Sequence, residues 1–160
     1  MSTHATPQVL IDTSRHFLSV VVLENILDSF AASKINVMHW HIVDTQSFPF
    51  GLPSHPEMAK MGAYSSQERF SPLDVAHVVE YARQRGIRVM VEIDTPGHAG
   101  SWCAAHPEVC PSPSCLQPLN VAQDATFTLI SEIFADVTGK VRGAGLFPDN
   151  MMHLGGDEVS

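Results

Sequence analysis

Short apolar runs alternate along the chain with segments in which apolar residues recur every three or four positions. The runs have the length and composition of buried strands, and the periodic segments are typical of helices that bury one face. Together they predict strands at residues 9–11, 36–43, 87–93 and 151–154, and helices around residues 22–30, 72–82 and 122–138.

The second predicted helix has the clearest boundaries. Ser71 is a candidate N-cap, and Pro72 follows at the first helical position, where its missing N–H has no cost. Gly86 is expected to end the helix. Its buried face is predicted to comprise Leu73, Val75, Val78, Val79 and Ala82.

Strands that alternate with helices predict an α/β fold with a parallel sheet. Polar residues collect where the predicted strands end, and in a (β/α)₈ TIM barrel the active site is built from loops at that end. A doubly wound sheet is the competing architecture, but the first strand is not followed by a glycine-rich phosphate loop. These strand-end residues are Asp12, Arg15, Asp44, Asp94, His98, Asp157 and Glu158.

Chain length limits how much of a barrel is present. A complete barrel typically needs about 250 residues, whereas this chain has 160. We therefore expect residues 1–160 to supply only the first four βα units, as a truncated fragment that is inactive alone. The chain is then either part of a longer enzyme or the product of an incomplete gene model.

Composition is that of a globular domain, with 44% hydrophobic and 16% charged residues. The net charge of −8 leaves no basic surface for nucleic acid. The polar start MSTHATPQ lacks the apolar segment of a signal peptide, and later apolar runs are too short to span a membrane. The protein is therefore expected to be cytosolic, or its true start to be missing.

The adjacent carboxylates Asp157 and Glu158 are the strongest candidates for chemistry. Successive strand residues point to opposite faces, so both can reach one pocket only where the backbone departs from a regular strand, as Gly155 and Gly156 allow. Such a pair suits a division of labour in which Glu158 donates a proton and Asp157 orients a group of the substrate. Alternatively, the pair caps a following helix.

Four longer motifs carry a family resemblance: DTSRHFL, NVMHWHIVDTQSFPF, YARQRGIRVMVEIDTPGHAGSW and HLGGDEV. From about residue 8 onward the chain resembles the family-20 glycoside hydrolases, the β-N-acetylhexosaminidases. The resemblance implies a catalytic (β/α)₈ barrel that removes terminal non-reducing N-acetylglucosamine or N-acetylgalactosamine from glycans. It also implies substrate-assisted retaining catalysis, in which the 2-acetamido group is the nucleophile, without cofactor or metal.

The resemblance assigns a role to each matching residue. Glu158 corresponds to the general acid, with a pKa raised by burial and by Asp157. Asp157 corresponds to the residue that holds the acetamido nitrogen, and Arg15 to the arginine that grips the sugar hydroxyls. His98 and Asp44 correspond to a pair connected to the acid. Thr45 departs from the pattern, because the family often has a second acid there.

Two other functions are compatible with the residues. His39 and His41 share one strand face, and together with His98 and Asp157 they could form the zinc site of a metal-dependent barrel hydrolase. The resemblance instead identifies HWH as a packing motif. A non-catalytic carbohydrate-binding or decayed paralogue is the other alternative, although such a protein would not need a general acid.

The three cysteines Cys103, Cys110 and Cys115 lie in the loop after the third predicted strand. Their spacing matches no common zinc pattern, so a disulfide is favoured, with the pairing left open. The resemblance implies a lysosomal or extracellular location and allows for a homo-oligomer in the full-length parent. It leaves the preferred hexosamine and linkage open.

Overall fold

A computed structural model describes residues 6–139 and 145–157. Strands and helices alternate, as the sequence predicted. They are β1 (Gln8–Asp12), α1 (Val20–Ala32), β2 (Val37–His41), α2 (Pro56–Gly62), α3 (Pro72–Gln84), β3 (Arg88–Glu92) and α4 (Asp124–Thr138), with 3₁₀ helices at Gly100–Ala104 and Pro107–Val109.

The three strands form one parallel sheet in the order β1-β2-β3. Every residue of β2 is buried, which is typical of a parallel strand covered on both faces. The register places Asp12, His41 and Glu92 side by side at the carboxyl end of the sheet. Three ionisable side chains from three strands therefore meet at the edge where the sequence predicted a site.

The predicted fourth strand at residues 151–154 is only partly correct. His153 makes a single parallel bridge to Glu92, with its N–H donating to the Val91 carbonyl at 2.9 Å. Gly155 and Gly156 follow with φ angles of 63° and 94°, which turn the backbone out of the extended conformation. Within residues 6–139 and 145–157 the sheet thus has three strands, and an isolated bridge takes the place of the predicted fourth.

Helix α3 begins as predicted. The Ser71 side chain accepts a hydrogen bond from the Asp74 N–H, and the Asp74 side chain accepts one from the Ser71 N–H. Val75, Val78, Val79 and Ala82 are buried, but Leu73 is 81% exposed, so its assignment to the buried face was wrong. At about 100° per residue, Leu73 lies on the opposite side of the helix from Val75, Val78 and Ala82.

Helix α2 was not among the helices predicted from the sequence. Pro56 occupies its first helical position, and Met58 and Ala59 are its buried residues. A helix of two turns is too short to show a clear periodicity. None of the described helices has the length and apolar character needed to cross a membrane.

Aromatic side chains link the sheet to the loops that carry polar residues. Trp40 of β2 is completely buried and packs edge-on against Phe70 and Phe147. Its indole N–H donates to the Thr13 hydroxyl at 2.9 Å. The core thereby fixes the loop that follows β1.

The cap of α3 provides a test of these assignments. Ser71→Ala should lower the free energy of unfolding by about 1 kcal/mol, because the Asp74 N–H loses its acceptor. Leu73→Ala is the matched control and should change it by less than about 0.5 kcal/mol, since Leu73 is exposed. Urea unfolding measures both variants, and a larger loss for Leu73→Ala would contradict the exposed placement.

Candidate functional site

The candidate site begins with Arg15, which is held by the last residue of β1. Asp12 Oδ1 accepts hydrogen bonds from the backbone N–H groups of Ser14 and Arg15, and Asp12 Oδ2 lies 2.7 Å from Arg15 Nη1. Arg15 Nη2 lies 2.7 Å from Asp44 Oδ2. Two carboxylates therefore fix the guanidinium while its side chain stays 45% exposed.

Asp44 is the buried centre of the site. Its Oδ2 contacts Arg15 Nη2, His41 Nε2 at 2.7 Å and His98 Nδ1 at 3.2 Å. Burial alone would raise the pKa of Asp44, but the hydrogen bonds from His41 and the Thr45 N–H, with the charge of Arg15, lower it below its ordinary value. Asp44 therefore remains ionised, and it brings Arg15 and His98 together.

A second buried carboxylate, Glu92, continues this network into the sheet. Glu92 Oε2 lies 2.7 Å from His39 Nε2 and 2.8 Å from His41 Nδ1, while Oε1 lies 2.8 Å from His153 Nδ1. Burial opposes ionisation, but the hydrogen bonds from His39 and His41 hold the pKa of Glu92 well below its usual range. Glu92 was not among the predicted site residues, because a lone acid inside an apolar run gives no sign of its partners.

His41 connects the two carboxylates. Burial alone would lower its pKa, but hydrogen bonds to Asp44 and Glu92 raise the pKa to about 10. The ring is therefore a buried imidazolium between two anions, and desolvation is offset by charge on both sides. From the sequence, His41 was predicted only as a packing residue or as a possible metal ligand.

Asp94 shapes the turn that carries the predicted acids. Its Oδ1 accepts the N–H of Gly156 at 2.9 Å, in the segment after His153. Burial raises the pKa of Asp94, with a further contribution from the nearby Asp157. A Cβ on Gly155 would lie 1.8 Å from Asp94 Oδ1, so only glycine fits there.

Asp157 completes the part of the site that the structure describes. Side-chain nitrogen or oxygen atoms of Asp94, His98 and Asp157 lie within 4.8 Å of one another, so these three strand-end residues form one cluster. Glu158, the predicted general acid, lies outside the described residues. The predicted rise in its pKa therefore stays a prediction.

The four residues of the alternative zinc site do not converge on one point. His39 and His41 both turn to Glu92, as two residues on one strand face should, whereas His98 and Asp157 group with Asp94. The zinc site proposed from His39, His41, His98 and Asp157 was therefore wrong as a ligand set.

The loop after β3 carries the cysteines and faces Thr45. Cys103 and Cys110 form a disulfide, and Cys115 is free and exposed. The Thr45 hydroxyl donates to the side-chain oxygen of Gln117, and its methyl group packs close to Gly100. A threonine here thus binds the loop instead of adding a second acid beside Asp44.

Known protein sequences match this chain over nearly its whole length. Residues 8–160 match the profile described as "Glycosyl hydrolase family 20, catalytic domain". Beta-hexosaminidase 3 of Arabidopsis thaliana is 49% identical over 152 residues, which are 95% of this chain and 27% of that protein. Human beta-hexosaminidase subunit beta is 42% identical over 158 residues, 94% of this chain and 27% of that protein. The chain spans roughly a quarter of the length of these curated relatives.

Solved structures of similar enzymes superpose on nearly the whole chain. A chitobiase from Flavobacterium johnsoniae superposes with a TM-score of 0.83 at 32% identity, over 95% of this chain and 23% of the other. A beta-N-acetylhexosaminidase from Bacteroides fragilis superposes with a TM-score of 0.87 at 26% identity, over 98% of this chain and 33% of the other.

The charge on His41 predicts a pH dependence of stability. The folded pKa of about 10 lies above the ordinary 6.5, so the folded state retains a proton that the unfolded chain releases. The stabilisation that this bound proton provides is fully present below pH 6.5 and is lost as the pH rises toward 10. The free energy of unfolding should therefore fall by at most about 1.4 kcal/mol per pH unit over this range.

Urea unfolding of wild type and His41→Gln from pH 6 to 10 checks this expectation. Glutamine can still form hydrogen bonds but does not titrate, so the variant should lack this slope. His77→Gln, which removes an exposed histidine paired with Glu24, is the control and should keep it. Equal slopes for wild type and His41→Gln would show that His41 is not charged in the folded state.

The two glycines before Asp157 make a matched pair. Gly155→Ala and Gly156→Ala both place a side chain at positive φ, which costs about 1–2 kcal/mol. Only Gly155→Ala also collides with Asp94, because a Cβ on Gly156 meets no atom within 4 Å. The free energy of unfolding should therefore fall further for Gly155→Ala, and equal losses would contradict the described turn.

Proposed function

Because the chain belongs to glycosyl hydrolase family 20, we propose that the protein hydrolyses N-acetyl-β-hexosaminides and releases terminal non-reducing N-acetylglucosamine or N-acetylgalactosamine. One observation carries the proposal: Arg15, Asp44 and His98 form a connected network beside the turn that holds Asp157. The names of the curated relatives, which are beta-hexosaminidases, support the same activity.

For the architecture, we infer that residues 1–160 contribute the first four βα units of a (β/α)₈ catalytic domain. The parallel order β1-β2-β3, extended by the His153 bridge, supports this arrangement. The site residues then lie at the carboxyl ends of the strands, where such barrels carry their active sites. Substrate contacts from the other units would complete the pocket.

In the proposed reaction, the 2-acetamido oxygen attacks the anomeric carbon as the bond to the leaving oxygen breaks. Glu158 donates its proton to the leaving oxygen. Water then attacks the oxazolinium intermediate, Glu158 takes up the water proton, and the β-configured sugar is released. Asp157 accepts a hydrogen bond from the acetamido N–H and offsets the positive charge that develops on that group.

Arg15 is suited to bind hydroxyl groups of the terminal sugar. Asp12 and Asp44 hold two of its nitrogens, so the planar guanidinium is already oriented. Its remaining donors are available because nearly half of the side chain is exposed. Little conformational entropy is then lost when the sugar binds.

Asp44 and His98 are proposed to orient Glu158. Asp44 Oδ2 and Arg15 Nη2 each lie 3.2 Å from His98 Nδ1, so these two side chains hold the imidazole ring in place. His98 Nε2 lies 4.0 Å from Asp94 Oδ2, on the side of the turn that carries the acids. The pair thus positions the general acid and sets its proton affinity.

We also propose a lysosomal or extracellular location, with glycans that end in N-acetylhexosamine as partners. The Cys103–Cys110 disulfide supports this location, because disulfides persist in oxidising compartments.

Kinetics in the complete catalytic domain separate the two acids. Glu158→Gln should reduce kcat/KM by about 10²- to 10⁴-fold for substrates with poor leaving groups, because departure then requires a proton. Activated aryl glycosides should lose much less. The measurement is kcat/KM across aryl N-acetylglucosaminides of graded leaving-group pKa, after circular dichroism has shown that the variant folds.

Asp157→Asn is the matched comparison. It weakens support for the acetamido nucleophile, which every N-acetylated substrate uses, so its loss of kcat/KM should be nearly independent of the leaving group. If Glu158→Gln depends on leaving-group pKa no more steeply than wild type, Glu158 is not the general acid.

A further inference from the structure

A tripeptide, His-Pro-Glu, occurs twice in the chain, at residues 55–57 and 106–108. In both copies the histidine precedes a helix and the proline is its first residue, at α2 and at the 3₁₀ helix Pro107–Val109. The backbone of the two histidines is nearly the same, with φ/ψ of −133°/64° for His55 and −127°/70° for His106. The repeat therefore presents two imidazole rings in one local geometry.

The two copies meet in the folded chain. Glu57 Oε1 lies 3.1 Å from His55 Nδ1 and 3.1 Å from His106 Nε2. The ring centroids are 5.2 Å apart and the rings are nearly perpendicular. All three ligand atoms lie within 4.8 Å of one another, so two nitrogens and one oxygen from distant segments converge.

The other ring nitrogen of each histidine contacts a second carboxylate. His55 Nε2 lies 2.9 Å from Glu132 on α4, and His106 Nδ1 lies 2.9 Å from Glu108. A neutral imidazole has one N–H, and the N–H directed at the outer carboxylate leaves a lone pair on the other nitrogen. With that tautomer in both rings, the two lone pairs point at the same Glu57 oxygen, an arrangement that a cation between them would stabilise.

We propose that His55, Glu57 and His106 form a binding site for a divalent transition metal, with zinc as the preferred ion. Zinc binds two imidazoles and a carboxylate at about 2.0–2.2 Å, which separates neighbouring ligand atoms by roughly 3.3 Å in tetrahedral geometry. The two observed 3.1 Å separations are close to that value. Glu132 and Glu108 orient the rings, as carboxylates behind zinc-bound histidines commonly do, and water fills the fourth position.

The buried His39–Glu92–His153 group is a weaker candidate. Its nitrogen–oxygen distances of 2.7 and 2.8 Å fall further below the roughly 3.3 Å between zinc ligands than 3.1 Å does, and His153 Nδ1 already accepts the Gly155 N–H at 3.0 Å. A metal on His55, Glu57 and His106 would join α2 to the loop after β3, close to the Cys103–Cys110 disulfide. The site is thus a structural cross-link that shares no residue with the candidate active site.

Titration of the purified protein with Zn²⁺ alone tests the proposal, by calorimetry and by metal analysis after dialysis. One zinc per chain is expected. His106→Gln should weaken binding at least about 100-fold, because a ligand is lost, and Glu108→Gln about 10- to 100-fold, because only ring orientation is lost. His77→Gln removes a histidine that also pairs with a glutamate, at 2.6 Å, and should leave zinc affinity unchanged.

Two results would overturn the proposal. Absence of zinc binding at millimolar Zn²⁺ would mean that protonated imidazoles and carboxylates form ordinary ion pairs here. Zinc binding that survives His106→Gln but is lost in His39→Gln would place the metal at Glu92. Because the Glu108 side chain is 55% exposed, Glu108→Gln should fold even where His106→Gln does not.

Discussion

The arrangement of the candidate site depends on a buried negative charge that must be compensated. Asp44 has no exposed surface and is ionised, and an uncompensated carboxylate in that position would cost several kcal/mol. The compensation comes from Arg15, His41 and His98, which belong to three segments of the chain. The charge of Asp44 therefore determines where residues after β1 and β3 can lie.

The same requirement explains the composition of the sheet end. His41 can balance Asp44 only if its own charge is stabilised, and Glu92 on the neighbouring strand does this. A parallel register with Asp12, His41 and Glu92 in one row satisfies the three groups together. The polar network and the strand pairing are thus mutually consistent, which favours one packing of the sheet over slipped alternatives.

Much of the fold was predictable because its signals are local. Strand runs, the Ser71 cap and the period of α4 depend on residues close in sequence, and they agree with the structure to within about two residues at each boundary. Leu73 was wrong because it is out of phase with the buried face of α3, and the fourth strand was wrong because strand pairing depends on distant segments. The motifs predicted Arg15, Asp44 and His98 as site residues, and the structure brings these side chains into contact. Glu92 could be found only from the strand register, because its partners lie on other segments. The repeated His-Pro-Glu is visible in the sequence, but the sequence does not show that its copies meet.

The hydrogen bond between Asp94 and the Gly156 N–H has a consequence for folding order. The two residues are 62 positions apart, so closing this contact costs more chain entropy than forming the His41–Asp44 contact, which spans three positions. Contacts of high sequence separation generally slow folding. Pairing of the three strands alone therefore does not orient Asp157, and we expect the turn that carries it to become ordered only when this long loop closes.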